Sequence, residues 1–223
     1  MRRVLSTISM ISLLGLAATG AIAADIPRAA PAYKAPAVYA PIFTWTGGYV
    51  GINGGYGWGR SDWTGYGAEP RVSGGLVGLT LGYNWQTGPW VFGLEGDIDW
   101  SDIRGGFTNA ACPTGCETRN SWLGTARGRL GYAIDRVMPY VTGGLAVGDI
   151  RTTQAGFTGA RETNAGWTVG AGIEAALAPN WTAKVEYLHV NLGDVGCGAV
   201  ACSIPSNVEL RANLIRGGIN YKF

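Results

Sequence analysis

The amino-acid sequence predicts an all-β fold, an eight-stranded antiparallel transmembrane β-barrel with short periplasmic turns and long extracellular loops. Three observations lead to this prediction. From residue 46 onward, apolar and polar residues alternate with the two-residue period of β-strands. Short turns alternate with long polar connections between an even number of such segments, which is typical of outer-membrane barrels. Glycine accounts for 37 of the 223 residues and charged residues for only 14%, which disfavours a helical protein and excludes a disordered one.

The first 23 residues have the three parts of a secretory signal peptide: two arginines, a short apolar stretch and the small-residue cleavage site AIA. Residues 24–45 are rich in proline and alanine, which predicts an extended, semi-rigid linker on the periplasmic side. The barrel is then expected to comprise residues 46–223. Removal of the signal takes two of the 17 Lys and Arg residues and leaves 15 against 15 Asp and Glu, so charge gives no support for nucleic-acid binding.

The first four predicted strands place apolar residues on one face and glycine, polar or charged residues on the other. In the third strand Leu94 alternates with Glu95, and in the fourth Leu130 alternates with Arg129. This alternation is expected of strands that lie between two different environments. The four strands cover approximately residues 47–59, 73–86, 90–102 and 120–133.

The second half of the chain repeats the pattern. Strands are predicted at about 139–150 and 165–177, followed by a seventh that begins at Trp181 and an eighth that ends the chain. Strands of about 10–13 residues suit a tilted membrane crossing. Short turns are predicted near 87–89, 134–138 and 178–180, and long connections at 60–72, 103–119, 151–164 and 191–207.

Aromatic residues at the strand ends indicate that the apolar face points toward lipid. Tryptophan and tyrosine are enriched at membrane interfaces, where they form two girdles around a barrel. A soluble β-sandwich, the alternative fold, gives no reason for such placement. The predicted girdles contain Trp58, Trp100, Trp122 and Trp167 at the long-loop end, and Trp85 and Trp181, with Tyr132 and Tyr221, at the short-turn end.

The last strand carries a separate signal. Ile215, Ile219, Tyr221 and Phe223 alternate backwards from a terminal aromatic residue. This pattern resembles the signal by which outer-membrane barrels are recognised by the barrel assembly machinery. It predicts that machinery as a partner, together with outer-membrane lipid and lipopolysaccharide.

With these stretches in view, the sequence resembles the alphaproteobacterial family of small outer-membrane β-barrels known as outer membrane immunogenic or porin-family proteins. The similarity is carried by AIAADIP, WTGGYVGINGGYGWG, GGLVGLTLGYNWQTGPWVFGLEGDIDW and the final RGGINYKF. It implies an eight-stranded, OmpA-type barrel in the Gram-negative outer membrane. It implies no catalytic residues, and it implies roles that range from envelope integrity and surface antigen to small pore and, in some relatives, haem binding.

The inward faces of the predicted strands carry five acidic and four basic residues. A barrel of eight strands is only wide enough for side chains to fill its interior, and buried charges are stable only in a connected network. The turn that pairs Leu177 with Trp181 places Glu174 opposite Lys184, so these two are expected to form an ion pair. We expect a charge-plugged lumen, with a narrow or gated ion path as the alternative. The nine residues are Glu95, Asp97, Asp99, Arg127, Arg129, Glu174, Lys184, Glu186 and Arg216.

The four cysteines form two close pairs, Cys112 with Cys116 and Cys197 with Cys202, each in a predicted long connection. Export permits disulfides, so two local disulfides are predicted, with a zinc site as the alternative. They would stiffen loops that could contact a host or another surface partner.

The sequence contains a single histidine, His189, and no nucleophile motif surrounds it. A lone histidine without placed partners does not indicate catalysis, so no enzymatic activity, no metal and no cofactor are expected. Lipid A modification and haem binding are the alternatives. The sequence therefore favours a structural and surface protein of the outer membrane, with a small porin as the second interpretation.

Overall fold

The fold of the chain is a closed antiparallel β-barrel, seen in a computed structural model that describes residues 43–63, 67–110, 112–154, 160–197 and 206–223. Each strand pairs with its neighbours in sequence, and the first strand pairs with the last. The predicted all-β, eight-stranded fold is confirmed. The strands are β1 Gly47–Trp63, β2 Arg71–Thr87, β3 Trp90–Asn109, β4 Cys112–Tyr132, β5 Val137–Gln154, β6 Ala160–Ala176, β7 Trp181–Cys197 and β8 Ser206–Lys222.

The strands are longer than the sequence pattern predicts. They contain 17 to 21 residues, and the predicted long connection at 103–119 is almost entirely part of β3 and β4. The prediction of long loops at 60–72, 103–119, 151–164 and 191–207 is therefore wrong in extent. The backbone ladder continues where the outward apolar residues end, so hydrophobic alternation marks the membrane-facing part of each strand and not the strand itself. We call this end of the barrel the loop end and the opposite end the turn end.

The apolar face of the strands points away from the barrel interior. Leu81 and Leu145 are 64% and 66% exposed on the outer surface, whereas Glu95 and Arg127 are 3% and 2% exposed inside. A sandwich would bury the apolar face instead. No helix in the described part of the chain is long and apolar enough to cross a membrane.

The barrel interior has three layers along its axis. An apolar layer at the turn end contains Val91, Met138 and Tyr140. A charged layer follows in the middle. A second apolar layer, toward the loop end, includes Leu188 and Leu214. The sequence pattern does not predict the apolar layer toward the loop end, since the inward face of every strand was expected to be polar along its whole length.

The segment that precedes β1 packs into the turn end of the barrel. Trp45 is 1% exposed within the turn-end apolar layer, and its backbone amide donates to Gln86 Oε1 at 2.8 Å. Lys222 Nζ donates to the carbonyl oxygen of Thr44 and lies 4.5 Å from the centre of the Phe43 ring. The predicted linker boundary at residue 45 is therefore too late. Residues 43–45 belong to the barrel because Trp45 and Phe43 are large aromatics that pack in the turn-end apolar layer. Residues 24–42 lie outside the described residues.

Candidate functional site

All nine predicted lumen charges lie in the middle layer of the barrel interior. They come from five strands, β3, β4, β6, β7 and β8, because residues two apart along a strand share a face. Every one of the nine is at most 7% exposed. Their charges sum to minus one, from five carboxylates and four cations. We call these nine residues the lumen charge layer.

Glu95 is the most heavily paired carboxylate of the layer. Its Oε1 accepts from Arg127 Nη2 at 2.5 Å, and its Oε2 accepts from Lys184 Nζ at 2.8 Å and Arg129 Nη1 at 3.1 Å. The hydroxyl of Tyr49 donates to the same Oε2 at 2.7 Å. These partners come from β1, β4 and β7, so Glu95 ties together three strands in addition to its own β3.

A second group of ion pairs is centred on Arg216 of β8. Its Nη2 lies 2.7 Å from Glu186 Oε1 and 3.3 Å from Asp97 Oδ2, and its Nη1 lies 2.6 Å from Asp99 Oδ2. Arg127 joins the two groups because it also pairs with Asp97 at 2.6 Å and Glu186 at 2.9 Å. Arg127 with Glu186 and Arg216 with Asp99 each join strands that are not neighbours, so these contacts cross the lumen.

The predicted ion pair between Glu174 and Lys184 does not form, although the register on which it was based is correct. The two residues are direct cross-strand partners. Glu174 instead pairs with Arg129 at 2.6 Å and accepts from Thr182 at 2.5 Å and Asn220 at 3.0 Å. The Lys184 ammonium reaches across the lumen to Glu95, where a carboxylate already in the network accepts it.

Several neutral residues that the sequence pattern did not single out complete the network. Tyr140 lies under Arg129, with the guanidinium carbon 4.0 Å from the ring centre, a cation–π geometry. Asp97 accepts from Thr80 and Thr125, each at 2.8 Å. Tyr49 points inward from β1, and nothing in its local sequence indicates that it bonds to Glu95.

Most polar atoms of the lumen charge layer have a hydrogen-bond partner among the described residues. Asp99 Oδ1 and the Nε atoms of Arg127 and Arg129 are the atoms of the layer without a hydrogen-bond partner in the described part of the chain. Among the described residues, no group of three or more His, Cys, Asp or Glu side chains is arranged to hold a metal ion. The arrangement is a buried, internally paired polar cluster with a net formal charge of minus one.

The aromatic girdle residues lie on the outer surface as the sequence predicts. Trp100 and Trp122 are direct cross-strand partners near the loop end. At the turn end Trp181 packs edge-on against Tyr221, with ring centres 5.2 Å apart. Trp90, which is not among the predicted girdle residues, is also exposed there. At the loop end, Trp58, Trp100 and Trp167 are exposed and Trp122 is half-buried. At the turn end, Trp85 and Trp181 are exposed.

The predicted assembly-signal residues also face outward from β8 and the residue after it. Phe223 is 72% exposed, and its backbone amide donates to the carbonyl oxygen of Gly48 at 3.0 Å, which joins the end of β8 to the start of β1. Ile215, Ile219 and Tyr221 are exposed in the same row. Their role as an assembly signal stays a prediction.

His189 lies on the outer wall of the barrel near the loop-end girdle. Its Nδ1 is 2.9 Å from Asn213 Oδ1, and its ring centre is 5.5 Å from that of Trp167. The Asn213 amide is the one hydrogen-bond partner of this imidazole among the described residues.

Cys116 is buried and disulfide-bonded. The side chains of Cys112, Cys197 and Cys202 lie outside the described residues. Both predicted pairings therefore stay predictions.

The chain matches the model of the outer membrane protein β-barrel domain over residues 14–223. It is 37% identical over 244 residues to the 31 kDa outer-membrane immunogenic protein of Brucella melitensis biotype 1, covering 98% of this chain and 100% of that protein. It is 33% identical over 223 residues to the 25 kDa outer-membrane immunogenic protein of Brucella canis, covering 99% and 100%.

Two solved structures share the fold. Outer membrane protein OprG from Pseudomonas aeruginosa gives a TM-score of 0.52 at 16% identity and covers 82% of this chain and 99% of its own. Neisserial surface protein A gives 0.50 at 18% identity and covers 80% and 98%. At such identities the likeness concerns the fold alone.

Proposed function

The chain belongs to the outer membrane protein β-barrel family, and on that premise we propose that it is a closed, non-conducting barrel with a structural and surface role. The barrel lies in the outer membrane, as its family does. The loop end then faces the outside of the cell and the turn end the periplasm, which is the usual orientation of such barrels.

One observation carries the proposal of a closed lumen: the lumen charge layer pairs internally across the full width of the barrel. Five carboxylates meet four cations, and each cation contacts at least one carboxylate within 3.0 Å. Buried charges that are paired in this way hold one another in place, because breaking any pair exposes an uncompensated charge. An ion entering the lumen would have to break several of these contacts at once.

The two apolar layers support the same proposal. The turn-end layer, with Trp45 and Met138, and the loop-end layer, with Leu188 and Leu214, lie on either side of the charges. Apolar side chains packed across a narrow barrel exclude water, so a hydrated ion meets an apolar barrier before it reaches any charge. A small porin would instead have polar side chains and water along the whole path.

Planar-bilayer recording of the refolded barrel tests the closed lumen. We expect no discrete openings from protein that shows heat-modifiable gel migration. The matched variant Arg127→Ala/Glu186→Ala/Leu188→Ala/Leu214→Ala removes one acid, one base and two side chains of the loop-end apolar layer, and we expect it to produce openings if it folds. Reproducible openings from the unmodified barrel would contradict the proposal and favour the porin, whereas a silent but folded variant would show that these layers are not the seal.

The surface role is supported by the relatives' names, which describe them as immunogenic. We further propose that residues 1–23 are removed on export, that residues 24–42 form a periplasmic linker, and that Cys112–Cys116 and Cys197–Cys202 form local disulfides at the loop end. Mass spectrometry of protein purified from outer membranes, before and after reduction, tests the cleavage and the disulfides. A mature chain that still carried residues 1–23, or four free thiols, would contradict them.

A further inference from the structure

A row of four arginines crosses the outer face of four neighbouring strands near the loop end. Arg104 of β3 is the direct cross-strand partner of Arg119 in β4. Arg119 is in turn the partner of Arg151 in β5, and Arg151 is the partner of Arg161 in β6. We call these four residues the arginine row.

The arginine row faces the surroundings of the barrel and not its interior. Ile103 and Ile150, which precede Arg104 and Arg151, are buried in the loop-end apolar layer. Successive side chains on a strand point to opposite faces, so the arginines point outward. The side chains of Arg104, Arg119 and Arg161 are 58%, 45% and 57% exposed.

Cross-strand register makes this row electrostatically unfavourable for the barrel alone. Like charges that lie directly opposite each other destabilise a sheet, and the row contains three such contacts in succession. Asp102 offsets part of the repulsion, at 2.9 Å from Arg119 and 3.5 Å from Arg104.

The remaining carboxylates near the row compensate for little of its charge. Asp149 lies 3.4 Å from Arg161, but its other oxygen accepts the backbone amides of Ser121 and Trp122 at a bulge in β4. Glu117 is exposed two residues beyond Arg119. Arg151 takes part in no ion pair with any described residue. The row therefore presents excess positive charge to whatever surrounds it.

The position of the row matches the headgroup level of the outer leaflet. Arg119 lies three residues before Trp122 of the aromatic girdle, about 10 Å closer to the loop end along an extended strand. A second run of direct partners, Arg71, Arg60 and Arg211, continues around the barrel on β2, β1 and β8. Of the eight strands, β7 alone contributes no arginine to these two runs. All seven residues are arginine and none is lysine, which favours planar, bidentate binding of phosphate.

We propose that the arginine row binds the phosphate groups of lipid A in the surrounding outer leaflet. The guanidinium groups of adjacent strands would each donate two hydrogen bonds to phosphate oxygens, and the ligand's negative charge would relieve the repulsion between them. Trp100 and Trp122, just below the row, would contact the sugar and the upper acyl chains. This inference concerns the outer wall and stands whether or not the lumen conducts.

The test measures lipid binding by the full refolded barrel in zwitterionic detergent micelles. Tryptophan fluorescence is titrated with bis-phosphorylated lipid A, with lipid A from which both phosphates have been removed, and with inorganic phosphate. The variant is Arg104→Gln/Arg119→Gln/Arg151→Gln/Arg161→Gln. The control is Arg136→Gln, an exposed arginine in the turn-end connection between β4 and β5. Heat-modifiable migration establishes that each protein is folded.

We expect the unmodified barrel and Arg136→Gln to bind bis-phosphorylated lipid A equally, and the fourfold variant to bind it at least about tenfold more weakly, equivalent to about 1.4 kcal/mol. Binding should weaken with added salt. Replacing the four arginines with lysine should restore only part of the affinity, because the ammonium lacks the planar fork.

Equal binding by the fourfold variant would overturn the proposal, as would equal binding of dephosphorylated lipid A by the unmodified protein. A fluorescence change of the same size with inorganic phosphate alone would show a general anion site and would also overturn the assignment to lipid. If the fourfold variant does not fold, Arg119→Gln/Arg151→Gln decides the same question, because each of the three direct contacts includes one of these two residues.

Discussion

Replacing Arg216 with glutamine is expected to be among the most destabilising single changes in the barrel interior. Arg216 is the cation that pairs with Asp99, at 2.6 Å, and both residues are at most 1% exposed. The same guanidinium also pairs with Glu186 and Asp97. Glutamine is a shorter side chain that keeps one polar amide group and removes the charge.

The expected magnitude follows from the pairing of each carboxylate. Asp97 and Glu186 keep Arg127 as a partner, so they lose only part of their compensation. Asp99 loses its ion-pair partner, and breaking a buried pair by removing one member costs about 3–5 kcal/mol. The net charge of the lumen charge layer changes from minus one to minus two. We therefore expect the free energy of unfolding to fall by about 3–5 kcal/mol.

Equilibrium unfolding in urea, with the barrel in detergent micelles, measures this change. Heat-modifiable migration and tryptophan fluorescence report the folded fraction. Arg60→Gln is the matched control, because Arg60 pairs with Glu69 at 3.6 Å on the exposed outer surface, where such a pair contributes about 0–1 kcal/mol. The double variant Arg216→Gln/Asp99→Asn removes the uncompensated charge and should recover part of the loss, with a coupling energy of about 1–3 kcal/mol.

Two results would refute this reasoning. A loss for Arg216→Gln no larger than that of Arg60→Gln would mean that the lumen is hydrated enough to solvate Asp99. Exact additivity of the two single changes would mean that the contact between Arg216 and Asp99 contributes nothing of its own.

Two further predictions concern packing and pairing. An added Cβ at Gly144 would lie 2.1 Å from the Ala126 carbonyl oxygen, so Gly144→Ala should abolish heat-modifiable folding. In the control Gly143→Ala the nearest atom to the added Cβ lies at 3.6 Å, so this variant should fold normally. Equal folding yields of the two variants would contradict the prediction. In double-mutant cycles measured by urea unfolding, Lys184→Met should show a coupling energy of about 1 kcal/mol or more with Glu95→Gln and a smaller one with Glu174→Gln. A larger coupling energy with Glu174→Gln would show that Lys184 pairs with its cross-strand partner Glu174 after all.

The sequence was sufficient to predict the strand order and the face of each strand, but not the partners inside the lumen. The short turn after Leu177 fixes the register of β6 and β7 and brings Glu174 opposite Lys184, as expected. In an eight-stranded barrel, however, a long side chain reaches the opposite wall as easily as its neighbour. Lys184 therefore bonds to Glu95, which is 89 residues away in sequence. Periodicity gives the face of a residue and contains no information about contacts across a closed lumen.

The ends of the strands were missed for a different reason. In β7 the outward residues are apolar up to Tyr187, and beyond it the pattern reverses: Leu188 and Val190 point inward and His189 outward. The sequence of β7 itself shows that the apolar and polar positions exchange faces, with no turn residues between the two halves of the strand. The predicted loop starts at residue 191, shortly after this reversal, because the apolar alternation expected of a membrane strand stops there.

This reversal explains why the interior and the outer wall change character at the same height. Where the wall contacts lipid, its outer face must be apolar, and the inward positions hold charges that can be neutralised only by one another. Beyond the membrane the wall meets headgroups and water, so the outward positions can hold Arg119 and Arg151 while the inward positions hold Leu188 and Val190. The loop-end half is thus built like a small soluble barrel with an apolar core. The apolar core above the charge layer and the arginine row around it are therefore two consequences of one change in the environment of the strands.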